Sequence, residues 1–192
     1  QVLQGGSSGQ FQSVLNNTII GVAFDDEVNK HEGRSALDLS VRLIARLYPT
    51  INFIGLGKTS IDFIDEFSSL AKSINSKIEF SSQTPTLILV IGATTPDRNI
   101  TSGPIYFIGS DGWLSKFSTQ AAIGCGETTN PLGAGIAACI GVSNIFRYVF
   151  SDFLTPEYDD DFVLSLISLD TDETGKDLKE KKVDVGKIQL AG

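Results

Sequence analysis

Residues 18–24 (TIIGVAF) form an apolar, β-rich run that stops at Asp25-Asp26, the pattern of a buried strand. From Gly33 to Tyr48 the period changes. Leu37, Val41, Ile44 and Tyr48 line one stripe, while Arg34, Asp38, Arg42 and Arg46 repeat every four residues on the other. That spacing predicts an amphipathic helix, which Pro49 ends. Residues 51–56 read as a second buried strand. Gly57 to Ser60 turn it into a helix carrying Phe63, Phe67, Leu70 and Ile74 on one face and ending near Asn75. Lys77 to Phe80 is a short strand.

TLILVIG (86–92) is the most apolar run in the chain and reads as a central parallel strand. PIYFIG (104–109) is another, and Asp111-Gly112 turns it back into WLSKFS (113–118) as a hairpin partner. Asn130-Pro131 supplies a cap and a first-turn proline for a long helix to about Asp152. Residues 161–170 predict a late strand, 171–182 a charged turn, and 183–192 the start of a following strand. The alternation predicts an α/β fold, a Rossmann-like, mostly parallel sheet with helices on both faces. A single domain over 17–182 follows a Gly/Ser-rich segment, 1–16, expected to be flexible.

Composition changes this picture little. The chain of 192 residues is 41% apolar and carries a net charge of −8. It has no compact basic stripe, which excludes binding to a nucleic-acid backbone or an anionic membrane. Residues 131–150 are nearly apolar enough to span a bilayer, but Asn144 and Arg147 argue for a core helix. Two cysteines, Cys125 and Cys139, make no disulfide framework and suit a cytoplasmic protein. The absence of methionine suggests a fragment of a longer protein.

Candidate chemistry centres on INFIGLGKTSIDF (51–63). Gly57-Lys58-Thr59 match the end of a P-loop, but the first glycine position falls on Asn52, inside the strand. Gly55, Gly57 and Ser60 fit a dinucleotide fingerprint with its last glycine replaced, and Glu79, 24 residues beyond Gly55, stands where a ribose-binding acid would. These four are the candidate cofactor-binding residues, with NAD(P) or ATP as ligand. The alternative is a tight structural turn.

IGCGETTNPLGAGIAACIG (123–141) places Cys125 before a helix, which would suit a nucleophile. The one histidine, His31, lies far off in a polar stretch beside Lys30 and Glu32. Gly133, Gly135, Ala137, Ala138 and Gly141 instead describe a thin helix face for close packing. Asp170, Asp172 and Thr174 open like a calcium loop, but the twelfth position is Lys181. Arg34, Arg98 and Arg147 are read as surface residues, Arg34 pairing with Asp38. No catalytic or metal-binding residue is assigned.

YFIGSDGWLSKFS, GCGETTNPLGAGIAACIGVSNIFR and the terminal VDVGKIQLAG together resemble the N-terminal part of bacterial ThiF/MoeB/HesA-type adenylating proteins, relatives of ubiquitin-activating enzymes. The resemblance implies a degenerate, non-catalytic Rossmann-like half. Its partners would be a following adenylating domain or a homodimer mate, and beyond them a ubiquitin-like or sulfur-carrier protein whose C-terminus is adenylated. ATP and Mg²⁺ would belong to that following domain. The sequence places no ATP-binding glycine loop, magnesium-binding aspartate or Cys-x-x-Cys zinc pair in the family context. Two other readings remain: a small nucleotide- or NAD-binding enzyme using Gly55 and Gly57, and an interaction domain dimerising through 131–150.

Overall fold

A computed structural model describes residues 8–171. The terminal strand read over 183–192 and most of the acidic stretch 170–175 lie outside the described residues. Seven strands form one sheet: β1 (Ile20–Phe24), β2 (Thr50–Gly55), β3 (Glu79–Phe80), β4 (Leu87–Ile91), β5 (Ile105–Asp111), β6 (Leu114–Ser118) and β7 (Phe162–Ser165). Their order is β3-β2-β1-β4-β5-β6-β7. The first five run parallel, and β6 pairs antiparallel with both β5 and β7. The Rossmann-like, mostly parallel α/β sheet expected from the sequence is therefore present. The chain reverses its direction of winding between β1 and β4, which neighbour each other although two strands intervene in sequence.

The helices are α1 (Ser8–Asn16), α2 (His31–Leu47), α3 (Ile64–Ile74) and α4 (Leu132–Val149). Part of the expected flexible start is thus helical, and Phe11 anchors it against Phe153, with ring centroids 4.7 Å apart. The α2 stripe is as read: Leu37, Val41, Ile44 and Tyr48 are all fully buried. Arg34 pairs with Glu66 across to α3, and Asp38 takes Arg42 one turn on at 2.6 Å. The Arg34–Asp38 pair expected from spacing does not form, because Arg34 leans over the Phe63 ring at 5.1 Å.

Strand alternation sorts the core into two layers. Ile20, Val22, Phe24, Leu87, Leu89, Ile91 and Ile108 meet the apolar faces of α2, α3 and α4. Ala23, Ile88, Val90 and Phe107 face the other way, against Ile54, Leu56, Ile100, Ile105, Ala122 and Ile123. The second layer contains no α-helical residue among those described. Its cover comes from the β4–β5 crossover and the segment after β6, because a right-handed β4–β5 crossing lands opposite α2 and α3. α4 is the one described helix long and apolar enough to cross a membrane by length and composition. Its small residues Gly133, Ala134, Ala137, Ala138 and Gly141 are buried, and it packs on β5, β6 and α2.

The predicted strand over 161–170 is cut to Phe162–Ser165. The chain turns there: the Ser165 amide donates to the Asp170 carbonyl at 2.9 Å, and Leu169 adopts φ 57°.

Candidate functional site

In an open α/β sheet, ligands bind beyond the carboxyl ends of the strands at the point where winding reverses. Here that crevice lies above β1 and β4. The β1–α2 connection that would cradle a phosphate reads Asp25-Asp26-Glu27 in place of glycines. Each carboxylate is turned inward onto a donor of its own chain.

Asp25 is buried. Its Oδ2 accepts from the Ala93 amide at 2.8 Å and the Thr94 hydroxyl at 2.7 Å, and its Oδ1 from the Glu27 amide at 3.0 Å. This needs Gly92, whose φ of 123° suits glycine and where a Cβ would fall 2.1 Å from Asp25 Oδ1. Glu27 Oε2 accepts from the Cys125 amide at 2.6 Å, and its Oε1 meets Lys30 at 3.0 Å. Residues 123–126 lie across the strand ends. The Gly124 amide donates to Gly92 at 3.1 Å, Ser110 to Gly124 at 3.2 Å, and Gly126 to Ser110 at 2.8 Å. The crevice is filled by the chain itself.

Glu32 is the deepest of these groups, with none of its surface exposed. It receives the Ser110 hydroxyl at 2.6 Å, the Gly112 amide at 3.0 Å, and the Thr128 hydroxyl and amide at 2.7 and 3.0 Å. Burial pushes its carboxyl up, but the hydrogen bonds from Ser110, Thr128 and Gly112 outweigh this, so it lies below the usual value of 4.5. The sequence suggested a polar loop here. The structure puts Glu32 in the first turn of α2, carrying the β5–β6 hairpin tip.

Of the four residues read as cofactor-binding, Gly55, Gly57 and Ser60 come together. The Ser60 hydroxyl accepts from the Gly57 amide at 2.8 Å and donates to the Gly57 carbonyl at 3.0 Å. The structure does not bring Glu79 to them. It pairs in register with Thr50, at the far end of β2 from Gly55, roughly 16 Å away at 3.3 Å per residue.

The loop does bind an anion, and that anion is Asp26. Its carboxylate accepts the amides of Lys58 at 3.2 Å, Thr59 at 2.8 Å and Ser60 at 3.0 Å, with the Thr59 hydroxyl at 2.9 Å. A Cβ on Gly57 would meet Asp26 Oδ1 at 2.2 Å. The donors that make such a loop look like a phosphate cradle are occupied. Hydrogen bonds from Thr59 foremost, then Ser60 and Lys58, hold the Asp26 carboxyl below 3.8. Asp26→Ala is therefore expected to expose these amides. In amide-resolved NMR with sulfate, residues 58–60 should shift in the variant and stay still in the unaltered chain.

Cys125 is the wrong environment for a nucleophile. Burial, followed by the charges of Glu27, Glu32 and Asp25, pushes its thiol up to about 12. Cys139 is exposed on α4, and both thiols are free. No group of three or more His, Cys, Asp or Glu side chains fit for a metal ion comes together among the described residues. The carboxylate cluster was foreshadowed only by the acidic run that closes the first apolar strand.

The chain shares its fold with Escherichia coli MccB: 12% identity, TM-score 0.56, covering 84% of this chain and 63% of that one. PaaA is equally similar, at 12% identity and TM-score 0.56, covering 83% and 64%. MccB has also been solved with AMPCPP and MccA, with 64% of it covered. An uncharacterized protein, y4jF, of Sinorhizobium fredii is 40% identical over 198 residues, all of this chain and 37% of that protein. The chain thus spans little more than a third of its curated relative. Residues 23–151, from the end of β1 to just past α4, match Prokaryotic E2 family C, and the chain belongs to that family.

Proposed function

We propose that this chain is a catalytically silent Rossmann-like unit within a larger ThiF-like protein that adenylates the C-terminal carboxylate of a ubiquitin-like or sulfur-carrier protein. Its role is to hold and orient the catalytic unit, as a following domain or as a homodimer mate. The ThiF-like fold supports the setting, as do the solved complexes of MccB with AMPCPP and MccA. The longer relative supports a larger parent.

The observation that carries silence is the filled crevice. Asp25, Asp26 and Glu27 take the amides of Ala93, Thr59, Ser60 and Cys125 that a nucleotide phosphate would need. A triphosphate would also meet their negative charge, of which Lys30 offsets only part through Glu27. The described residues at this crevice do not fit ATP, and we assign ATP with Mg²⁺ to the catalytic unit elsewhere. Thioester chemistry, which the designation E2 suggests, needs an ionised and reachable thiol. Cys125 in the crevice offers neither; the exposed thiol, Cys139, sits on α4 and makes no contact with the carboxylates of the crevice described above.

Calorimetric and thermal-shift titrations of this chain with Mg-ATP, NAD(H) and NADP(H) test the reading. No heat and no shift are expected. A true site filled at 100 times its dissociation constant would stabilise the fold by about 2.7 kcal/mol, and such a shift would restore the nucleotide-binding enzyme.

A further inference from the structure

On the layer of the sheet that carries no described α-helix, a cavity of about 240 Å³ lies between the β4–β5 crossover, the start of β5 and the residues after β6. Pro96, Pro104, Ile105 and Phe107 give it apolar walls, while Arg98 and Gln120 stand at its polar side. We propose that it binds a carboxylate joined to a compact apolar group, with Arg98 as the counter-ion. A free N-acyl amino acid and the C-terminal residue of a peptide share that chemistry.

The walls are held by the chain's own bonds. The Ala122 amide donates to the Thr95 hydroxyl at 3.0 Å, tying the crossover to the turn after β6. Asp161 Oδ1 accepts the Thr119 amide at 2.7 Å and its hydroxyl at 2.9 Å. The Thr101 hydroxyl donates to the Pro85 carbonyl at 3.0 Å. A preformed cavity spends little of its binding free energy on ordering. Arg98, by contrast, makes no ion pair with any described residue.

Charge and size narrow the ligand. One guanidinium, with no lysine or second arginine among the lining residues, suits one negative charge and not a polyphosphate. Its planar fork matches a carboxylate. A volume of about 240 Å³ lies below the usual range for drug-sized ligands, roughly 300–1,000 Å³, and suits one residue-sized group. Beside the cavity, β6 stops pairing with β5 at Phe107, opposite Ser118. The outer edge of β5 at Ile105 therefore has no strand next to it among the described residues. An extended peptide could lie along that edge and reach Arg98 with its terminal carboxylate.

Calorimetry of this chain with N-acetyl-leucine, N-acetyl-leucinamide and the peptide acetyl-Ala-Ala-Ala-Leu tests the site. The acid should bind about tenfold more tightly than the amide. Arg98→Gln, an exposed change that leaves the fold intact, should abolish that preference, and Arg98→Lys should restore part of it. A tetrapeptide tighter than N-acetyl-leucine supports the site as a peptide-terminus site using the Ile105 edge. Equal affinity supports it as a reader of the terminal residue alone. Equal binding of acid and amide, no saturation by about 10 mM ligand, or an unchanged preference in Arg98→Gln overturns the proposal.

Discussion

Replacing Glu32 with alanine is expected to lower the stability of the fold by about 4 kcal/mol, which at this size corresponds to a melting temperature lower by roughly 10 °C. The reason is the set of donors left behind. The Ser110 hydroxyl, the Gly112 amide and both Thr128 donors converge on one fully buried carboxylate. Each would lose its acceptor where water cannot readily replace it, at about 1–3 kcal/mol per group before relaxation. Glu32→Gln keeps the volume and one acceptor but turns an amide group toward donors, and should cost about half as much.

The pH dependence gives a second readout. The folded-state pKa of Glu32 lies below 4.5, so its ionised form contributes stability above the unfolded value. That contribution is lost as pH falls through the folded value. The difference between the unaltered chain and Glu32→Gln should therefore be largest near neutral pH and shrink below pH 4.5. Urea titrations from pH 7 to 3 would measure it. A gap that stayed constant would mean that Glu32 is not held as a charged acceptor.

The places where sequence reading succeeded and stopped follow from contact distance along the chain. Strands β1, β4 and β5 were legible because buried parallel strands are written as unbroken apolar runs. The α2 stripe was legible because its period is local. The thin face of α4 was equally plain, since small residues at helical spacing imply close approach whatever they approach. The loop at Gly55-Leu56-Gly57 was legible as a turn, and its likeness to an anion cradle was physically sound. Its anion was not legible, because Asp26 sits 33 residues before Thr59 and sequence spacing does not name a partner across strands. Glu32 was hidden for the same reason on a larger scale. Beside Lys30 and His31 it reads as solvated, and only a hairpin tip 80 residues later encloses it. The layer without a described α-helix was likewise hidden. An unbroken apolar run signals burial on both faces without saying whether a helix or a loop provides it.

The thin face of α4 yields the second large effect, and it separates two identical changes made two residues apart. At Gly133 an added Cβ would meet the Leu114 carbonyl oxygen at 2.4 Å and that of Gly112 at 2.6 Å. Both are backbone atoms of the β5–β6 hairpin and cannot rotate away. At Gly135 the nearest atom is Leu39 Cδ2 at 3.7 Å, an ordinary contact. Gly133→Ala is expected to destabilise by about 3 kcal/mol, overpacking outweighing the gain in helix propensity. Gly135→Ala should stabilise by about 0.5–1 kcal/mol, since only the backbone term remains. Chemical denaturation of the two variants under one condition checks the opposite signs. Equal signs would mean that α4 does not seat on the hairpin as described.

The Gly133 amide also donates to the Gly112 carbonyl at 3.1 Å, so Gly112 is gripped by α4 on its oxygen and by Glu32 on its nitrogen. Once either grip is lost, the hairpin tip can relax and the second loss costs less. The double variant Glu32→Ala, Gly133→Ala should then fall short of the sum of the single effects by about 1 kcal/mol or more. Simple additivity would show that the two grips act independently.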